Sequence, residues 1–169
     1  MLVAGYLALI IGFGCLGIIR ANQIKKRPQE IREMINALAL LDTEIYWGAT
    51  PLPDAFRVLK ERTGPPWQAF FASLEEKIRA GENASQAWKK SIEMHRRKTC
   101  LTDDDWLVIS GISQGLGRSD RNEQHKQLEL VQRHLAGVDE KARQQAESRA
   151  KMWSYLGFLG GIAAVIMIM

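Results

Sequence analysis

Cysteine is scarce in this 169-residue sequence. Cys15 and Cys100 lie far apart in surroundings of opposite polarity, so no disulfide framework is indicated and a reduced compartment suits the chain. Histidine is equally rare. His95 and Cys100 stand five residues apart across an expected helix end, which matches no zinc spacing, and His125 and His134 fall on a polar helix surface as solvated side chains. No stretch alternates apolar and polar residues at the period of a half-buried strand. Gly115-Leu116-Gly117 lacks the third glycine and the preceding strand of a dinucleotide fingerprint and reads as a helix stop. The absence with the largest consequence is that of charge at the two ends. Every Lys, Arg, Asp and Glu lies between Arg20 and Lys151, although charged residues make up 25% of the chain.

The uncharged ends are long enough to cross a bilayer. Leu2 to Ile19, at the rise of an α-helix, covers about 27 Å, close to the hydrocarbon thickness, and Trp153 to Met169 is nearly as long. A cleaved signal peptide fits poorly, because the first five residues carry no basic group and Ile18-Ile19-Arg20-Ala21 is no small-residue cleavage site. Glycines 12, 14 and 17, and 157, 160 and 161, are tolerable in lipid and permit close helix contact. Basic residues flank both runs on the inner side: Arg20, Lys25, Lys26 and Arg27 after the first, Arg149 and Lys151 before the second, with Trp153 at the headgroup level. The expected organisation is therefore a transmembrane helix over 1–19, a cytosolic domain over 20–152 and a second transmembrane helix over 153–169. These clusters account for the net charge of +4 without nucleic acid and favour membrane lipids of the anionic inner leaflet.

The charged middle reads as all-α. Pro28 can open a first helix whose stripe is Ile31, Ile35, Leu38, Leu41 and Ile45, ending at Gly48. Thr50 is the expected cap of a second helix, with Pro51 at its first position. Gly64-Pro65-Pro66 breaks the chain, and a third helix carries Trp67, Phe70, Phe71, Leu74 and Ile78 to a left-handed stop at Gly81. Capping boxes are expected at Asn83 with Gln86, Thr102 with Asp105 and Asp120 with Glu123, opening helices four, five and six. In the last, Leu128, Val131, Leu135, Val138 and Ala142 form a coiled-coil-like seam, and no breaker precedes Trp153.

Little chemistry is legible. Asp103, Asp104 and Asp105 are what the positive end of a helix favours, and no matching ligand run suggests a cation site. Trp67, Phe70, Phe71, Trp88 and Trp106 stand at helical spacing, which is core packing in place of a nucleic-acid surface. No enzyme, cofactor or metal is expected.

Lys26-Arg27-Pro28-Gln29-Glu30-Ile31-Arg32, Leu41-Asp42-Thr43-Glu44-Ile45 with Gly48-Ala49-Thr50-Pro51-Leu52, Leu116-Gly117-Arg118-Ser119-Asp120 with Gln124, and Tyr155-Leu156-Gly157 with Gly160-Gly161 resemble the stage III sporulation protein AB family from end to end. The resemblance implies a subunit of the channel complex between mother cell and forespore, in the mother-cell membrane around the forespore. That family in turn resembles the inner-membrane platform protein of type II secretion, whose cytosolic domain is a six-helix bundle. Implied partners are a cytosolic secretion-type ATPase and other stage III sporulation channel subunits, with a second copy of the chain as a further candidate. Partner contact is expected at Thr50, Pro51, Leu52, Leu116, Gly117, Asp120 and Gln124, against the plainer role of those turns as caps. The alternative is a membrane-tethered signalling adaptor without a transport role.

Overall fold

A computed structural model describes residues 24–117 and 120–168. Among them are six α-helices and no strand. Helix α1 covers residues 24–42 and continues into a π-helical turn, Thr43–Trp47. It is followed by α2 (Leu52–Arg62), α3 (Trp67–Arg79), α4 (Ala84–His95), α5 (Asp103–Ser110) and α6 (Arg121–Ile168), with 3-10 turns at Arg96–Lys98 and Gly111–Gln114. The first apolar run, 1–19, lies outside the described residues, and among those described no helix is long and apolar enough to cross a membrane.

Local signals account for most boundaries, with corrections. Pro28 does not open α1: the helix already runs at residue 24, and Pro28 is buried within it, where it has no amide to give the helix ladder. Thr50 does not cap α2. Pro51 takes the cap position and Pro53 falls in the first turn, while the Thr50 hydroxyl turns back to donate to Glu44 Oε2 at 2.8 Å. Gly81, at φ +90°, ends α3 with its amide on the Ile78 carbonyl and the amide of Glu82 on Lys77, the paired bonds of a left-handed helix stop. Asn83 caps α4 by one bond, from Ser85 N, instead of a reciprocal box with Gln86. The Thr102–Asp105 box is complete, with Thr102 N donating to Asp105 Oδ2 at 2.8 Å and Asp105 N to Thr102 Oγ1 at 3.4 Å. Asp120 Oδ1 accepts from Glu123 N at 2.8 Å. Helix α6 then runs unbroken to Ile168.

The described chain divides into two compact units. In residues 29–139 the core is aromatic: Trp67, Phe70, Phe71, Phe56 and Trp88 are fully buried and Trp106 nearly so. Each such ring contributes on the order of 2–3 kcal/mol by leaving water. Phe70 sits at the centre, its ring centroid 5.3 Å from those of Phe71 and Trp88 and 6.0 Å from that of Trp106. Two of the three buried tryptophans have a partner for the N–H, and Trp106 Nε1 is buried without one among the described residues. Trp67 Nε1 donates to the Glu30 carbonyl at 3.0 Å and Trp88 Nε1 to that of Ile109 at 3.1 Å. Of the expected α1 stripe, Ile31, Leu38, Leu41 and Ile45 are buried; Ile35 is only half-buried, and Met34, outside the stripe, is fully buried. Leu128, Val131 and Leu135 of the α6 seam are buried, while Val138 is half-buried.

The other unit contributes residues 24–28 and 140–168 to the description. There Pro28, Ala142, Ala146 and Ala150 are buried, the alanines at four-residue spacing. Lys25, Lys26, Arg149 and Lys151 are exposed and Arg27 is half-buried. Arg20 and the side chain of Trp153 lie outside what is described.

Candidate partner-docking surface

Contacts distant in sequence give the 29–139 unit two poles. At one, Arg32 forks onto Asp139 Oδ2 at 3.1 Å (Nη2) and 3.3 Å (Nε), Trp67 meets the Glu30 carbonyl, and Cys100 N donates to Glu30 Oε2 at 2.7 Å. The chain enters this unit at Gln29 and leaves it at Asp139, so both connections depart from this linker pole. At the far pole, His125 meets Asp42, Gly117 lies against Leu52 and Ala84, and Arg79 Nη2 pairs with Asp54 Oδ1 at 2.9 Å. Along α1 the contacts move from 32 to 42 while along α6 they move from 139 to 125, which makes the two helices antiparallel.

The far pole is built on a tight turn. The Gly48 amide reaches the Thr43 carbonyl at 3.0 Å, the five-residue step of a π-turn, and Thr50 N reaches the Glu44 carbonyl at 2.9 Å. A Cβ on Gly48 would lie 2.8 Å from the Glu44 carbonyl oxygen and 2.9 Å from Thr50 Oγ1, so only glycine fits. Ala49 is held at φ 50°, a left-handed conformation that costs a residue with a Cβ about 1–2 kcal/mol. The tertiary contacts of the turn offset that strain. Tyr46 stacks on His125 with centroids 4.5 Å apart and meets Trp47 edge-on at 5.0 Å. Trp47 itself is 78% exposed, a large ring held out into solvent by an ordered turn.

The second expected contact stretch packs onto the first. Gly117 adopts φ +73°, and a Cβ there would come within 3.1 Å of Leu52 Cδ1 and 3.2 Å of Ala84 Cβ. Leu52 of the first stretch and Gly117 of the second therefore meet at one pole. Exposure differs along the two stretches: Pro51, Gly117 and Asp120 face solvent, Thr50, Leu52 and Gln124 are half-buried, and Leu116 is buried at 2% exposure. His125 is not a free solvated side chain, because its Nδ1 lies against the Asp42 carboxylate. His134 is exposed. Tyr46, Trp47 and the pairing of His125 with Asp42 are marked by no cap, motif or periodicity in the sequence. Trp47 stands beside the glycine that ends the α1 stripe and out of phase with it, and that is the one local sign of its exposure.

Elsewhere the ionised groups are structural. Burial raises the Glu75 carboxyl, but hydrogen bonds and charge from Lys60 and Arg79 outweigh it and hold the group below its ordinary range. Burial, then the charges of Lys98 and Lys77, push His95 below the usual imidazole value. A cleft of about 380 Å³ between α1 and the end of α2 is lined by Glu33, Asn36, Leu40, Arg62 and Thr63. The Thr63 hydroxyl is engaged, donating to the Leu59 carbonyl at 2.8 Å. No three metal-ligating side chains converge among the described residues.

The family model for stage III sporulation protein AB matches residues 3–169. The chain belongs to the stage III sporulation protein AB family. It is similar to stage III sporulation protein AB of Bacillus subtilis (strain 168), at 27% identity over 166 residues, covering 98% of this chain and 97% of that one. A solved stage III sporulation protein AB structure superposes with a TM-score of 0.69 at 28% identity, over 72% of this chain and 97% of the solved one. Stage III sporulation protein AB is thus matched here in sequence nearly end to end, and its fold agrees with the all-helical architecture described above.

Proposed function

We propose that this protein is a membrane platform of the channel complex that endospore formers build between mother cell and forespore, anchored by two spans with the helical unit in the mother-cell cytosol. The single observation that carries the reading is the polarity of the 29–139 unit. Both connections toward the uncharged ends leave from one pole, whereas the exposed Trp47 and the contact of Leu52 with Gly117 lie at the other. A domain tethered at one pole presents the opposite one to soluble partners. The bundle does not catalyse a reaction in this reading. It receives a secretion-type ATPase at the far pole and passes the load along α6, a continuous helix from Arg121 to Ile168, to membrane and ring subunits.

The test is binding of the full-length chain, in lipid nanodiscs, to the secretion-type ATPase of the same organism. Saturable binding that Trp47→Ala weakens at least about tenfold, as for a buried aromatic anchor, supports the platform reading. A folded chain that ignores the ATPase removes the coupling role, and extraction of the wild-type chain from membranes by alkaline carbonate removes the two spans.

A further inference from the structure

The cleft between α1 and the end of α2 has no part in the platform role, and both of its walls lie within the 29–139 unit. Glu33, Asn36, Ala37 and Leu40 line it from α1, and Arg62 and Thr63 line it from the end of α2. At about 380 Å³ it falls in the size range of small-molecule sites, roughly 300–1,000 Å³. Two opposite charges share this space without meeting. Glu33 is half-buried and accepts a bond from Gln29 Nε2 at 3.0 Å, but it pairs with no cation among the described residues. Arg62 is exposed and forms no ion pair there either, whereas Arg57, in the same helix, lies 3.5 Å from Asp54 Oδ1. The Asn36 amide is exposed and also has no partner among the described residues. No side-chain hydrogen bond or ion pair joins the two walls.

The end of α2 adds to the negative side of the cleft. Pro65 and Pro66 follow Glu61 and Arg62 by four residues and have no amide to give those carbonyls, so the last turn keeps its partial negative charge. The amide and hydroxyl of Thr63 both donate to the Leu59 carbonyl, at 2.9 and 2.8 Å, which leaves the Arg62 guanidinium as the donor for an anion on that wall. Ala37 and Leu40 supply apolar surface between the charges. The chemistry such a set recognises is narrow. A phosphate ester would meet Glu33 as well as Arg62, and a wholly apolar molecule would take water from both charges and return no partner. No aromatic side chain lines the cleft, so a base or a sugar ring has nothing to stack on. A molecule that carries an ammonium and a carboxylate close together, with an aliphatic tail, satisfies all three features.

We propose that the cleft between α1 and the end of α2 is a binding site for a free aliphatic α-amino acid. The ammonium of the ligand meets the Glu33 carboxylate and the open end of α2, its carboxylate meets the Arg62 guanidinium, and its side chain lies on Ala37 and Leu40, with the Asn36 amide at the rim. The bound molecule bridges α1 and α2 where no side-chain bond of the protein does, so the two helices are held together more firmly when it is present.

The test is binding of L-leucine to the full-length chain in mild detergent, followed by saturation-transfer difference NMR with detergent alone as the blank. So small a ligand on a half-open cleft is expected to saturate with a Kd on the order of 1 mM. N-acetyl-leucine lacks the ammonium and leucine amide lacks the carboxylate, and each should bind about three- to fivefold more weakly, the weight of a part-exposed charge pair. Glu33→Gln should weaken leucine by a similar factor and erase the discrimination against N-acetyl-leucine, while Arg62→Gln should erase the discrimination against leucine amide. Neither side chain forms an ion pair in the fold, so both variants should stay helical by circular dichroism. No saturable leucine signal above the blank overturns the proposal. So does equal binding of the three compounds, or a discrimination that survives both substitutions, since the ligand would then sit elsewhere.

Discussion

Nδ1 of His125 lies 2.8 Å from Oδ2 of Asp42 and 2.9 Å from Oδ1, closing the far pole across 83 positions of sequence. The pair joins the start of α6 to the end of α1, and the imidazole also carries the Tyr46 stack. His125→Ala removes both contacts and, because the ring is about a third exposed, is expected to cost about 1 kcal/mol. Thermal unfolding of the full-length chain in mild detergent, followed by circular dichroism, measures it. A double-mutant cycle with Asp42→Asn should show a coupling of about 0.5–1 kcal/mol, and strict additivity would mean the pair is incidental.

Gly117→Ala tests the junction of the two turn stretches. The new methyl meets Leu52 and Ala84 at 3.1 and 3.2 Å in a backbone conformation that already disfavours it. Strain and overpacking together are expected to cost about 2–3 kcal/mol. Leu52→Ala in the same chain should recover part of the loss, since it removes one of the two obstructing groups. No recovery would place the whole cost in the backbone.

Asp120 and Trp47 separate a capping role from a contact role. Asp120→Ala removes the bond from Glu123 N and should lower stability by about 1 kcal/mol with ATPase binding unchanged. Trp47→Ala should leave the melting curve within about 0.5 kcal/mol of the parent, because its ring is mostly in solvent. An Asp120 variant that stays fully stable yet loses its partner would reverse these assignments.

His95 makes stability depend on pH in a stated direction. Burial and the neighbouring Lys98 and Lys77 hold its folded value below the ordinary 6.5, so the unfolded chain binds a proton more readily than the folded one. The contribution is therefore complete above about 6.5 and lost as pH falls through the folded value. His95→Gln should flatten that part of the stability profile, while the fall at lower pH from Glu75, whose folded value is also lowered, should remain.

Local sequence signals suffice where both partners of an interaction sit within about a turn and a half of chain. The Thr102–Asp105 box, the Gly81 stop and the Asp120 cap each involve residues three to five apart, within reach of local backbone preference. Such signals fail at Thr50 and at Pro28. In the first case the hydroxyl found Glu44 across the turn, and in the second the helix had already begun. Periodicity also missed Met34, since which flank of a stripe is covered depends on the neighbour laid against it.

Six helices, the breaks between them and the segregation of charge away from both ends follow from the order of residues, because helix propensity, capping and hydropathy act over a few residues or are simple sums along the chain. The two poles do not. That Leu52 meets Gly117, that His125 closes onto Asp42, and that Cys100 is tied to Glu30 are set by the register and crossing of packed helices. Those depend on side-chain shapes meeting across the core, so only the tertiary structure could bring the exposed Trp47 turn to one end and the two chain connections to the other.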